Sequence, residues 1–159
     1  MGTILHFTYN LSKKNIVVGM FSSVNESVWE HIKLLLTPIF FYNMFLYVMK
    51  YQNNYFIKLL VELLVAIIFI IVLYKIKIVI YKDKKPFINI LIFYFTAFIC
   101  SLVGYLISNY NIPNWINLIS IIGVMIIYVM YMVYTVCPPR KSIFKDPITN
   151  CYGIDCVNK

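Results

Sequence analysis

Residues 55–80 read YFIKLLVELLVAIIFIIVLYKIKIVI, and residues 63–74 within them (LLVAIIFIIVLY) carry no charge. A helix rises ~1.5 Å per residue, so a hydrocarbon core ~30 Å thick needs roughly 20 apolar residues in a row. This stretch is long enough. Its middle is apolar on every side, whereas a helix of a water-soluble bundle keeps a polar stripe. Lipid is its natural solvent.

Three further stretches suit the same solvent. Residues 34–49 (LLLTPIFFYNMFLYVM) continue an amphipathic approach from Val24. Two others follow Pro86 and Pro113, where a first-turn proline costs nothing. The spans are expected at about 24–50, 55–80, 87–108 and 114–136. The connections YQNN, YKDKK and NYNIPN are short, so neighbouring helices run antiparallel. The fold class is all-α: an integral membrane protein of four transmembrane helices in an up-down bundle. Residues 1–23 form an N-terminal stub and loop, residues 24–137 the membrane domain and residues 138–159 a cytoplasmic tail.

Composition points the same way. The chain has 159 residues, 62% hydrophobic and 13% charged, which excludes an ordinary soluble domain at about 25% charged. Aromatics at 18% and a mean hydropathy of +0.81 exclude a disordered chain. The net charge of +8 is distributed unevenly. Lys13, Lys14, Lys33, Lys75, Lys77, Lys82, Lys84, Lys85, Arg140, Lys141, Lys145 and Lys159 fall on one side of the expected bundle, Lys50 and Lys58 on the other. The positive-inside rule makes the first side, and the C-terminus, cytoplasmic. The charge then reports insertion, and no nucleic-acid partner is implied. Abundant Ile, Lys, Asn, Tyr and Phe with little Arg suggest an AT-rich bacterial genome.

In a membrane protein the informative residues are polar ones at apolar depth. The densest cluster is Asn25-Glu26-Ser27-Val28-Trp29-Glu30-His31-Ile32-Lys33. Ser23 with Glu26 matches a capping box and predicts a helix from about Val24. Spacing then puts Glu26, Glu30, Lys33 and Thr37 on one stripe. Two readings follow. In one, Glu26, Glu30 and His31, with His6, hold a metal or a proton. In the other the segment is an interfacial turn, with Lys33 neutralising Glu30 and Trp29 anchored at headgroup level. Glu62 is the carboxylate deepest in a span, about 10 Å beyond Tyr55 at helical rise. It either pairs with a snorkelling Lys58 or faces the bundle interior as a proton- or cation-linked group.

Thr96, Cys100, Gly104 and Ser108 recur every four residues, and Asn117, Ser120 and Gly123 line the fourth span; both faces read as packing seams. Tyr128, Tyr131 and Tyr134 read as an aromatic belt. Pro138 and Pro139 stop the last helix, and the tail is expected to be irregular, pinned by Phe144 and Tyr152. Cys137, Cys151 and Cys156 are expected as free thiols on a reducing side.

Residues 16–38 (IVVGMFSSVNESVWEHIKLLLTP), with LHFTY before them and PPRKSIFKDPITNCYGI near the end, carry a resemblance. The chain resembles a family of small membrane proteins of low-GC Gram-positive bacteria, a domain of unknown function. The resemblance spans essentially the whole chain and is most specific in NESVWEHIK. It is similar at His6, Asn25, Glu26, Trp29, Glu30, His31, Pro138, Pro139, Asp146, Pro147, Tyr152 and Gly153. Cys137 stands where histidine is frequent, and Asn150 where glycine is usual. The resemblance implies a further transmembrane helix ahead of the LHF-type segment. It also groups His6, the segment from Asn25 to His31, Asp146 and Tyr152 into one polar cytoplasmic cap. It implies no activity.

The function expected from these readings is that of a structural or interaction subunit of the bacterial cytoplasmic membrane. Its partners would be the lipid bilayer and either another membrane protein or further copies of itself. A small transporter using Glu62 and the polar seam is the first alternative. A membrane-embedded metal-dependent enzyme using Glu26, Glu30 and His31 is the second. No cofactor is implied: neither a nucleotide loop nor a dinucleotide fingerprint is present.

Overall fold

The computed structural model describes residues 2–49, 54–81 and 86–154. The described chain is all-helical: α1 (Gly2–Leu11), α2 (Ile16–Phe21), α3 (Val28–Val48), α4 (Tyr55–Tyr81), α5 (Pro86–Ser108), α6 (Asn114–Val136) and a 3-10 turn at Ser142–Phe144. The helices α3, α4, α5 and α6 are each long and apolar enough to cross a membrane. Lys50, Lys82, Lys84, Lys85, Cys156 and Lys159 lie outside the described residues.

One compact unit comprises Met1–Pro38 and Met125–Lys159, and a second comprises Ile39–Val124. In the first, the expected stub and loop are folded: α1 and α2 pack on each other, and Tyr9 is buried. Burial pushes the Tyr9 hydroxyl above its usual range, and the Glu30 carboxylate adds to this.

The start expected near Val24 is corrected, since α3 begins at Val28. The sequence holds two S-x-x-E patterns four residues apart, and the second is used. Ser27 Oγ accepts from Glu30 N at 3.3 Å, while Ser23 Oγ donates to Asn25 O at 2.6 Å within a non-helical turn. A helix starts where its first free N–H groups find acceptors, and Ser27 supplies one. Glu26 therefore lies before the helix and off the expected stripe. Pro38, inside α3, lacks an N–H; next to it, Thr37 Oγ1 donates to Phe21 O and Tyr128 donates to Leu36 O.

The described part of the tail, residues 138–154, is irregular and held by local contacts. Phe144 is buried, and Lys145 pairs with Tyr152 in an isolated antiparallel bridge. Asn150 and Gly153 both adopt left-handed backbone, with φ of 60° and 55°. Asparagine tolerates that region better than most residues, so it can stand at position 150 in place of glycine. Cys151 is disulfide-bonded, while Cys100 and Cys137 are free. The free thiol expected at Cys151 is thus corrected. Redox compartment governs whether a bridge persists, not whether the backbone brings two sulfurs within reach.

In the second unit, α4 and α5 pack against each other along their lengths. The small-residue seam lies on the contact face: Thr96, Cys100 and Gly104 are buried, while Phe87, Tyr94, Phe98 and Tyr105 point outward. Small side chains let two helices approach where lipid gives no hydrophobic drive. Gly123 lies against Leu60. Asn117 does more than fill space: its Oδ1 accepts from Phe56 N at 2.9 Å and Ile57 N at 3.1 Å. It thereby caps the first turn of α4 from a distant part of the chain.

Candidate functional site

The residues singled out in the sequence divide between two buried clusters, one in each unit. In the first unit Glu30 and Lys33 form a buried pair at 2.7 Å. Glu30 Oε2 also accepts from Val24 N at 2.9 Å, which closes the turn before α3. Lys33 Nζ donates further to Gly19 O and Thr135 Oγ1, each at 2.8 Å. An ammonium has three protons, and all three are used. This cluster joins α2, α3 and α6.

The other members of the expected cap are placed as follows. His31 Nδ1 donates to Ser27 O at 2.9 Å, and its Nε2 faces Glu26 Oε2 at 3.6 Å. Asn25 Oδ1 accepts from Ser27 N, while Asn25 Nδ2 donates to Gly153 O at 3.0 Å and ties the segment to the tail. Asp146 is buried within its own turn, accepting from Ile148 N at 3.0 Å and Thr149 Oγ1 at 2.5 Å. The side chain of His6 lies outside the described residues.

Glu26, Glu30 and His31 therefore do not converge. Glu30 points to Lys33 while Glu26 points to His31, and no group of three or more His, Cys, Asp or Glu could hold a metal ion among the described residues. Trp29 is not a headgroup anchor. It is buried with ring centroids 4.9 Å from Tyr131, 5.5 Å from Tyr134 and 4.8 Å from Phe144. The tyrosines expected as a belt are thus partly internal. Ring packing alone holds Trp29, the second residue of α3, against tyrosines near the end of α6: the Trp29 Nε1 and the Tyr131 hydroxyl are buried with no hydrogen-bond partner among the described residues.

The second cluster is centred on Glu62 of α4, which is 4% exposed and faces the interior. Its Oε2 accepts from Asn43 Nδ2 of α3 at 2.5 Å, and its Oε1 lies 3.8 Å from Lys58 Nζ. Lys58 is itself buried and does not snorkel; its ammonium lies 5.9 Å from the centre of the Tyr42 ring. From α5, Cys100 Sγ donates to the Glu62 backbone carbonyl at 3.5 Å. Gly104 leaves the carboxylate its space: a Cβ there would fall 1.7 Å from Glu62 Oε1.

Two polar atoms here have no hydrogen-bond partner among the described residues, Asn43 Oδ1 and the Tyr55 hydroxyl, and both residues are buried. The sequence reading passes over Asn43, although the cost of a polar side chain inside residues 34–49 is signal enough. Thr135 carries no such signal, because a threonine in an apolar helix usually satisfies itself on its own backbone. Thr135 does that as well, donating to Tyr131 O at 2.8 Å.

Four helices among the described residues that are long and apolar enough to cross a membrane, with charged side chains paired among them, define a polytopic α-helical membrane protein. Its family follows from direct comparison. Residues 1–154 match the model of a family of unknown function (DUF6512), and the chain belongs to that family. No curated protein and no solved structure matches it.

Proposed function

We propose that the protein is a small transport component of a bacterial cytoplasmic membrane, working through Glu62 and the groups around it. One observation carries this reading. A buried carboxylate sits beside a buried carbonyl oxygen that lacks a partner among the described residues. Most buried polar groups are satisfied, because each unmade bond costs about 1–3 kcal/mol; Trp29 Nε1 and the Tyr131 hydroxyl are further exceptions, and Asn43 differs from them in donating to a carboxylate. Ionisable side chains inside membrane helices mark ion and substrate paths. The separation of Glu26 from Glu30 weighs against the metal-enzyme alternative.

Orientation belongs to the same proposal. Lys33, Lys58 and Lys77 are buried in the structure and leave the loop-charge count. Lys13, Lys14, Arg140, Lys141 and Lys145 are exposed, and they support a cytoplasmic tail. A reporter fused after Lys159 that is active only outside the cell would overturn this orientation. For transport, purified protein in liposomes should dissipate an imposed ion gradient, and Glu62→Gln should abolish the flux. Wild-type flux equal to that of empty liposomes, across gradients of protons, sodium and potassium, would remove the reading.

A further inference from the structure

We propose that the ligand of the Glu62 site is a proton, bound on Glu62 Oε1 and shared by hydrogen bond with Asn43 Oδ1. The inference rests on the transport reading for its physiological meaning, while the binding is tested separately. Asn43 Nδ2 has two hydrogens, and both are spent. One goes to Ile39 O at 2.9 Å and the other to Glu62 Oε2 at 2.5 Å. The amide oxygen is left over, in a residue 0% exposed, with no donor among the described residues.

Against a carboxylate, an amide edge makes one hydrogen bond. Against a carboxylic acid it makes two, N–H to the acid carbonyl and acid O–H to the amide carbonyl, in a closed ring. The nitrogen and oxygen of an amide are about 2.2 Å apart by their bond geometry, as are the two oxygens of a carboxyl group. With the first bond in place, the second pair needs only coplanarity. One added proton thus satisfies the orphan acceptor with no other atom brought in.

The remaining neighbours fit a two-state oxygen. In the ionised state Oε1 faces Lys58 Nζ at 3.8 Å, beyond hydrogen-bonding distance, so it is weakly held and available. In the protonated state Oε1–H turns to Asn43 Oδ1, and Lys58 keeps the face of Tyr42. Gly104 of α5 presents no side chain to Oε1, and the Cys100 thiol is engaged with the Glu62 backbone. Tyr55, two turns earlier on the same face of α4, carries a buried hydroxyl with no partner among the described residues. A metal cation would have to bind an oxygen that already has an ammonium beside it. The balance is simple: one proton from water adds to Glu62 and converts its charge from −1 to zero, with no other bond formed or broken.

The test uses the full chain in nanodiscs of phosphatidylethanolamine and phosphatidylglycerol, with infrared difference spectra recorded between alkaline and acidic buffer. A carboxylic-acid carbonyl band should appear on acidification and vanish in Glu62→Gln. That variant keeps the fold, because a glutamine amide can close the same ring. In Asn43→Leu, or Asn43→Ser where the leucine does not fold by circular dichroism, the band should leave its wild-type frequency, either shifting upward as its hydrogen bond is lost or vanishing as the freed carboxylate closes on Lys58. No Glu62-dependent band, or a band unmoved in the Asn43 variant, would overturn the proposal. A Glu62-dependent change driven by sodium at fixed pH would do so too. Protonation without flux removes the transport reading and leaves the proton site standing; flux without the band does the reverse.

Discussion

Gly104→Ala is the most direct probe of how tightly Glu62 is held. The new methyl would lie 1.7 Å from Glu62 Oε1 and 2.9 Å from Lys58 Cε, and real Cβ contacts essentially never fall below 3.0 Å. The carboxylate must therefore retreat by at least 1.3 Å. A shift of that size breaks the 2.5 Å bond from Asn43. Losing a hydrogen bond to a charged group costs about 1.5–3 kcal/mol, and overpacking about 1–3 kcal/mol. Replacing glycine by alanine inside a helix returns about 1 kcal/mol. The net expectation is a loss of about 1.5–5 kcal/mol, or roughly 3–20 °C in apparent Tm at about 2–4 °C per kcal/mol. Thermal unfolding in detergent micelles measures it. The decisive comparison is the Glu62→Ala/Lys58→Ala background, where the methyl has nothing to strike. There the same substitution should be neutral or stabilising by up to about 1 kcal/mol. An equal loss in both backgrounds would refute the argument, because Gly104 would then be required by the helix backbones and not by the carboxylate.

Three other substitutions test the architecture. Lys33→Met leaves Glu30 as a buried carboxylate without its partner and should cost about 3–5 kcal/mol, while the Glu30→Gln/Lys33→Met pair should recover most of it in the same unfolding assay. Asn117→Leu removes the acceptor for Phe56 N and Ile57 N; a loss of about 0.5–2 kcal/mol is expected, with faster amide exchange confined to the first turn of α4. Gly153→Ala forces a side chain into φ 55° with its Cβ 2.7 Å from Thr135 O; it should cost about 1–3 kcal/mol and speed proteolysis of the tail.

The spans were legible because length and apolarity are properties of contiguous sequence. The structure has α4 at Tyr55–Tyr81, α5 at Pro86–Ser108 and α6 at Asn114–Val136, while α3 runs Val28–Val48 and starts later than its local pattern suggests. There two local patterns, Ser23 with Glu26 and Ser27 with Glu30, were chemically equivalent. Only the tertiary partner of Glu30, the Val24 amide, distinguishes them. The same limit applies to the cap. Glu30 and His31 are adjacent in sequence, yet 100° per residue around a helix sends them to different partners, Lys33 and Glu26. The role of Asn43 was invisible for a related reason: it depends on Glu62, which another helix brings close. The left-handed backbone at Asn150 and Gly153, by contrast, was written in residue type.

The two buried acid–base pairs separate structure from chemistry. Glu30 and Lys33 lie 2.7 Å apart, every ammonium proton has an acceptor, and the carboxylate closes a turn of backbone. The ammonium of that pair has no proton left to give, and the charge is retained because removing either member strands the other. Glu62 and Lys58 lie 3.8 Å apart, and a carbonyl oxygen beside them waits for a donor. A buried pair built only for stability would close that gap, since attraction in a low-dielectric interior rises steeply as charges approach. It stays open because Asn43 competes for the same carboxyl group from α3. Strengthening the ion pair would therefore silence the site. In a Glu62→Asp/Asn43→Leu chain the shortened carboxylate, released from α3, should close on Lys58. That chain should be at least as stable as wild type and show no carboxyl band over the pH range in which wild type shows one. A band persisting at the wild-type pH would mean that Asn43 is not what holds the pair apart.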